Sequence, residues 1–180
     1  MKLPAFLFHV IAMNSVLAET VADPMQHFRS QWDLAGVTKL YKLEVDINND
    51  GLNEIFISNG KSDPPDVDEL GWQLYIARAG GQYEIAGEKT DSGINPSSIP
   101  SFRKDQYRIG MIPELNRHGL LHLQCGRGGQ AKCQLKAIVI EADGWKHIAI
   151  GHPVSAESDY EQLAKRFATP PTPTVKELAP

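Results

Sequence analysis

Residues 46–54, which read Asp-Ile-Asn-Asn-Asp-Gly-Leu-Asn-Glu, carry the most specific chemical pattern in the sequence. Oxygen-bearing side chains occupy the first, third, fifth and ninth positions, and glycine occupies the sixth. Calcium is a hard cation that takes about 6–8 oxygen ligands, and a loop that alternates ligand and non-ligand residues can wrap its odd positions around one ion. The pattern therefore predicts a calcium site completed by water, with side-chain ligands and one backbone carbonyl from Asp46, Asn48, Asp50, Glu54 and, for the carbonyl, Leu52.

The loop resembles the Asp-x-Asp/Asn-x-Asp-Gly-x-x-Asp/Glu calcium loops of integrin-type FG-GAP repeats, dockerins and EF-hand proteins. An EF-hand requires a preceding helix and a bidentate glutamate at position 12 of the loop, but Ile57 stands there in this sequence. The flanking segments 43–45 and 55–58 are typical of strands, so the resemblance is nearest to the FG-GAP style, in which the calcium loop joins two β-strands. The likeness is confined to one short copy, and it implies the chemistry of the loop without implying the family's fold.

The same residues allow a second interpretation. Asn-Asp-Gly is good β-turn chemistry by itself, because these residues tolerate positive φ and hydrogen-bond their own backbone. In that alternative the loop is a solvated acidic turn, and its oxygen atoms point apart instead of converging.

The elements around the loop predict an α+β fold, mainly an antiparallel sheet (a meander) with an N-terminal and a C-terminal helix packed on it. Asp23-Pro24 is a helix start, and Gly36 closes that helix. Segments with the apolar spacing of strands are joined by short turns, among them Gly80-Gly81 and Asp143-Gly144. The C-terminal helix is predicted over Ser155–Phe167, where apolar residues recur at helical spacing and basic residues occupy the last turn.

Cys125 and Cys133 flank a glycine-rich stretch without large apolar residues. This spacing is typical of a hairpin loop closed by a disulfide bond between the two strand ends. A metal or redox pair is the weaker alternative, because the spacing is not Cys-x-x-Cys.

The N-terminus has the pattern of a signal peptide over residues 1–18, with Lys2, an apolar run and short residues before a cut ahead of Glu19. The apolar run is shorter than the roughly 20 residues that span a bilayer. The sequence then predicts one globular domain over 19–168 and a proline-rich, disordered tail over 169–180.

Other polar groups carry weaker signals. Asp63, Asp66, Asp68 and Glu69 form an acidic cluster that is typical of a solvated loop. The histidines His118, His122, His147 and His152 are interpreted as surface or hydrogen-bonded core residues and not as a zinc site. His118 and His122 are four residues apart, but Gly119 and the apolar stretch after it are typical of a strand, where the two lack the helical proximity of a zinc pair.

These observations lead to a functional hypothesis: an exported, periplasmic or extracellular, non-catalytic calcium-binding domain in which the ion rigidifies one inter-strand loop. Such a monomeric module would bind a protein or glycan partner. The whole chain carries a net charge of −4, and an acidic balance disfavours nucleic acid and anionic membrane surfaces as partners. Two alternatives remain, a periplasmic hydrolase or hydrolase inhibitor with a purely structural calcium, and a secreted domain without metal.

Overall fold

Apolar residues on both faces of successive extended segments fold most of the chain into β-strands. The computed structural model describes residues 19–61, 69–125, 132–155 and 174–180. In chain order the elements are β1 (Thr20–Val21), α1 (Pro24–Gln31), β2 (Leu40–Val45), β3 (Glu54–Ser58), β4 (Leu70–Gly71), β5 (Gln73–Arg78), β6 (Gln82–Ile85), β7 (Glu88–Thr90), β8 (Gly93–Asn95), β9 (Ser101–Phe102), β10 (Tyr107–Ile112), β11 (Arg117–Cys125), β12 (Lys132–Glu141), β13 (Gly144–Ser155) and β14 (Lys176–Leu178).

The strands form two large sheets and one small one. Sheet 1 has the order β1-β6-β5-β3-β2-β14, and sheet 2 has the order β10-β11-β12-β13-β7-β8. β4 pairs with β9 as a separate ribbon. The pairs are antiparallel except for β13 with β7, where Trp145 pairs with Glu88 in parallel. The predicted hairpins β5–β6, β11–β12 and β12–β13 are confirmed, the last with Ala142-Asp143 at its turn.

The two large sheets pack face to face around one core. Residues of sheet 1 such as Leu43, Phe56 and Leu74 meet residues of sheet 2 such as Leu120 and Ile138 in a single buried cluster. Because side chains alternate across a strand, the neighbours of these residues lie on the outer faces. On sheet 1 that outer face packs under α1, and on sheet 2 it forms a further buried apolar cluster around Leu121, Leu123, Val139 and Ile150.

This architecture shows that the predicted α+β fold with two terminal helices is wrong. The described chain is mostly β, with α1 as its single short helix. The reason is that the core is closed by a second sheet and not by helices: strands such as β11 are apolar on both faces and require cover on both sides. The predicted helix at Ser155–Phe167 lies outside the described residues, except for Ser155, which ends β13.

The N-terminal helix is present but shorter than its apolar pattern indicates. Asp23 caps it as predicted, because its Oδ1 accepts hydrogen bonds from the backbone N–H groups of Met25 (2.9 Å) and Gln26 (3.0 Å). The helix ends at Gln31, and Trp32 already has extended backbone angles. Phe28 of α1 is fully buried against the outer face of sheet 1.

Part of the tail predicted to be disordered is ordered. Residues 176–178 form β14, which pairs with β2 through Leu178 and Leu40. Glu177 accepts hydrogen bonds from Lys39 (2.7 Å) and Lys104 (3.2 Å), and these partners lie far away in sequence, which is why the proline-rich composition did not reveal them. Residues 169–173 lie outside the described chain.

The disulfide bond between Cys125 and Cys133 is confirmed. The two residues pair directly across β11 and β12, with a sequence separation of 8. Replacing both cysteines with serine is expected to lower the free energy of unfolding by about 2–3 kcal/mol, because an open chain gains loop entropy when it unfolds.

Urea unfolding of this double variant, beside the oxidised and the reduced natural protein, checks the expectation. The reduced protein and the double variant should agree with each other. Equal stability of the oxidised protein and the variant would contradict a stabilising role.

Candidate metal centre

The loop of residues 46–53 connects two neighbouring strands of sheet 1, β2 and β3. The strands pair antiparallel up to Val45 opposite Glu54, so the first and last predicted ligands lie at the base of the loop. Two residues reverse the chain with positive φ, Asn49 at 63° and Gly51 at 87°. Asparagine and glycine tolerate this left-handed conformation best, which explains why the sequence places them at the tip.

Backbone N–H groups converge on the two aspartates of the loop. Asp46 accepts from Asp50 N at 3.0 Å through Oδ1 and from Gly51 N at 2.9 Å through Oδ2. Asp50 accepts from Leu52 N at 2.9 Å through Oδ1. These bonds hold the backbone of the loop around the Asp46 carboxylate. The predicted site also requires the backbone to turn around this residue.

Asn48 and Leu52 take secondary positions. The Asn48 side chain accepts from Asp50 N (3.1 Å) and donates to Asp50 Oδ2 (3.0 Å). Leu52 is exposed at the surface, and only its backbone has a predicted role. For calcium to bind, the Asn48–Asp50 side-chain hydrogen bond has to open, which is a rotation of two side chains and not a refolding of the loop.

Glu54 is the unusual residue of the loop, because its side chain is fully buried at 0% exposure. Its Oε2 accepts a hydrogen bond from Ile47 N at 2.9 Å, but its buried Oε1 has no hydrogen-bond partner within the described part of the chain. Burial raises the pKa of Glu54 to about 7, against the effect of the Ile47 N–H, and the nearby charges of Asp50 and Asp46 raise it further. A buried carboxylate oxygen without a partner is costly, so it needs a proton or a cation.

The structure brings Asp46, Asp50 and Glu54 near enough for their charges to interact, but it does not assemble them at coordination distance. In the described part of the chain no three side chains of histidine, cysteine, aspartate or glutamate already form a metal-holding group. The donor set still fits calcium, since a carboxylate offers about four lone-pair directions and only some of them are used by the backbone N–H groups.

Only one residue of the acidic cluster in the following loop is described by the structure. Asp63, Asp66 and Asp68 lie outside the described residues. Glu69, predicted to be solvated, is buried at 4% exposure and accepts hydrogen bonds from Cys125 N (3.1 Å) and the Ser101 hydroxyl (3.3 Å). Burial raises its pKa, while these hydrogen bonds act in the opposite direction.

Two of the histidines are core residues, since His122 is completely buried and His147 largely so. Among the described residues, however, both ring nitrogens of His122 and Nε2 of His147 have no hydrogen-bond partner, so the expected hydrogen bonding is incomplete. His152 is exposed and His118 is partly exposed, as interpreted. His122 follows Leu120 by two residues on β11, so the two side chains point to the same face of the strand, and this spacing could have indicated that His122 is buried. The spacing does not say which face is the inner one, because both faces of β11 are apolar.

The fold and the loop together define a class, a domain of two packed β-sheets with an acidic loop between two adjacent strands. Comparison with protein-family models, curated proteins and solved structures gives no match for the chain. In the described ranges no helix has the length and apolar character needed to cross a membrane.

Proposed function

We propose that this chain is an exported, non-catalytic calcium-binding domain in which the ion rigidifies the β2–β3 loop through Asp46, Asn48, Asp50, the Leu52 carbonyl and Glu54. The observation that carries the proposal is the fully buried Glu54 Oε1, which has no hydrogen-bond partner among the described residues and lies near the charges of Asp46 and Asp50. An acidic turn with only a structural role has no need to bury a third carboxylate near two others, whereas a divalent cation would offset two of the three negative charges.

The site is expected to be weak and structural. Extracellular calcium modules bind with dissociation constants of about 10⁻⁴–10⁻³ M. The Asn48–Asp50 hydrogen bond that must open, and the protonation of Glu54 with which calcium competes, both act against affinity. Calcium held there would tie the loop to β3 through Glu54, whose strand neighbours Ile55 and Phe56 are buried on opposite faces of sheet 1.

Export and a binding role complete the proposal. The disulfide Cys125–Cys133 supports an oxidising, non-cytosolic compartment, since such bonds are rare where thiols are kept reduced. A calcium-stiffened loop on a rigid pair of sheets suits a module that presents a surface to a protein or glycan. The hydrolase or inhibitor alternative rests on the same loop, and no separate feature of the described residues favours it.

Thermal unfolding of the natural protein and of Asp50→Ala, with and without calcium, tests the proposal. At 10 mM calcium a site of this affinity adds about 1.4–2.7 kcal/mol to the free energy of unfolding. For a domain of this size that corresponds to a rise in melting temperature of about 3–10 °C. We expect the rise in the natural protein and its loss in Asp50→Ala, because Asp50 contributes both a ligand oxygen and the hydrogen bond to Leu52 N.

Asp33→Ala is the matched control. Asp33 is also exposed and also accepts a backbone hydrogen bond two residues ahead, from Ala35 N at 2.9 Å, but it lies outside the loop. This variant should keep the full calcium response. An equal response in all three proteins, or none in any of them, would contradict the proposal.

A further inference from the structure

A pair of histidines lies on two strands of sheet 2, outside the loop of residues 46–54. The ring centroids of His122 on β11 and His147 on β13 are 5.4 Å apart. His122 contacts the ring of Phe102 at 5.9 Å, and His147 contacts the ring of Trp145 at 5.0 Å. The pair is thus enclosed by aromatic side chains, and His122 has no exposed surface.

The hydrogen-bonding capacity of the pair is not used. Both nitrogens of His122 and Nε2 of His147 have no hydrogen-bond partner among the described residues. A neutral imidazole in such a place leaves one donor and one acceptor unsatisfied, which is a cost of packing it there. A charged imidazolium would cost far more, since it brings a positive charge and a further donor into the same apolar surroundings.

The charged groups that face the pair make protonation harder for His122 than for His147. Lys136 on β12 lies opposite His122 in the sheet register, and its charge opposes protonation of both rings. Glu88 on β7 is the acidic neighbour, with Oε1 3.8 Å from His147 Nδ1, while its Oε2 is held by the Ser98 hydroxyl at 2.6 Å. Glu88 can therefore act as the counter-ion of a protonated His147. Among the charged groups described around the pair, none does the same for a protonated His122.

We propose that His122 and His147 form an acid-sensitive contact on sheet 2, which holds β11 and β13 against β9 of the small ribbon and against β7 at neutral pH and weakens when the rings acquire protons. A metal site is the less suitable use of the pair, because no third ligand completes a metal-holding group in the described ranges. The contact is separate from the loop of residues 46–54, and its failure would leave the proposed calcium function untouched.

The sign of the effect follows from where the protons bind. Burial lowers the pKa of His122 to about 3 and that of His147 to about 4, from the ordinary value of 6.5. The unfolded chain then binds more protons than the folded chain below pH 6.5. The stability that the two neutral histidines contribute is therefore complete above pH 6.5, and it is lost as the pH falls from 6.5 toward 4.

The unfolding equilibrium constant, measured by urea titration between pH 7.5 and 4.5, tests the contact in the full chain. Each histidine should raise this constant by up to about tenfold per pH unit below pH 6.5. In His122→Phe the unfolding equilibrium constant should rise less steeply as the pH falls, because one fewer histidine takes up a proton on unfolding. His152→Gln, which alters an exposed histidine of β13, is the control for replacing a histidine outside the pair. All three proteins keep Glu54 and Glu69, so the comparison of slopes is made with the same buried carboxyl groups present.

An NMR titration of the histidine ring protons of the natural protein keeps the proposal testable if His122→Phe does not fold. The signals of His122 and His147 should stay at their neutral positions between pH 7.5 and 5. Titration of His122 near pH 6.5 in the folded protein, or parallel urea profiles for the natural protein and His122→Phe, would overturn the proposal.

Discussion

Replacing Glu54 with glutamine is expected to reduce the calcium response strongly while leaving the metal-free protein as stable as before, or more stable. Glutamine keeps the acceptor for Ile47 N, and its uncharged amide is not repelled by the nearby charges of Asp46 and Asp50. At pH 8 it also removes a buried negative charge, because the raised pKa of Glu54 means that folding disfavours its ionised form. Calcium loses one of three charged ligands, so we expect the affinity to fall by at least about tenfold, which is about 1.4 kcal/mol.

Thermal unfolding at pH 8, with a chelator or with 10 mM calcium, measures both halves of this expectation. Glu44→Gln is the matched control, since Glu44 is exposed on β2 and forms an ion pair with Lys42 at 2.8 Å outside the loop. It should retain the calcium response. If Glu54→Gln responds to calcium as the natural protein does, Glu54 is not a ligand, and the buried oxygen needs another explanation.

Trp72→Ala is expected to be the most destabilising substitution in the core, with a loss of about 3–5 kcal/mol in the free energy of unfolding. Trp72 has no exposed surface and stacks on Phe102 with ring centroids 4.8 Å apart. Its Nε1 donates to the Phe102 carbonyl at 3.0 Å, and its backbone N–H donates to the Pro100 carbonyl at 2.8 Å. The residue therefore joins the β4–β9 ribbon to the shared core of the two large sheets.

Urea unfolding of Trp72→Ala, Trp72→Phe and Trp32→Ala separates packing from hydrogen bonding. The phenylalanine variant retains most of the ring contact and should lose only about 1–2 kcal/mol. Trp32, half-buried at the end of α1 and stacked on Phe28, should cost less than Trp72 when it is replaced with alanine. A loss at Trp72 no greater than the loss at Trp32 would show that the ribbon is not anchored through this side chain.

Local features of the chain could be predicted from the sequence. The hairpins with turns at Gly80-Gly81 and Asp143-Gly144 form as predicted, and the hairpin closed by Cys125 and Cys133 has the predicted pairing. Asp23 caps α1 as its position before proline indicates. These features are set by residues that are neighbours in sequence, so turn chemistry and capping were sufficient to find them.

The long-range arrangement could not be predicted in the same way. The parallel contact of Trp145 with Glu88, and the return of Glu177 to Lys39, depend on partners that no local pattern marks. Helices were expected to cover one sheet, because the sequence gives the apolar residues of a strand but not the element that packs against them.

The burial of polar residues was missed for a related reason. Glu54 begins β3, whose residues Ile55, Phe56 and Ile57 are all buried, so both faces of the strand are apolar. Alternation then gives no information on which polar neighbour points inward. His122 lies between Leu121 and Leu123 and presents the same ambiguity. Glu54 and His122 are nevertheless the polar residues on which the two proposals for this protein depend.

Isothermal titration calorimetry of the metal-free protein with calcium, at two temperatures and with magnesium in parallel, tests the calcium site most directly. The proposed site predicts one saturable binding event with a dissociation constant of about 10⁻⁴–10⁻³ M. Magnesium should bind more weakly, because it demands a near-ideal octahedral geometry that this loop is not built to provide. The absence of saturable heat at millimolar calcium at both temperatures would contradict the proposal and leave residues 46–54 as a β-turn.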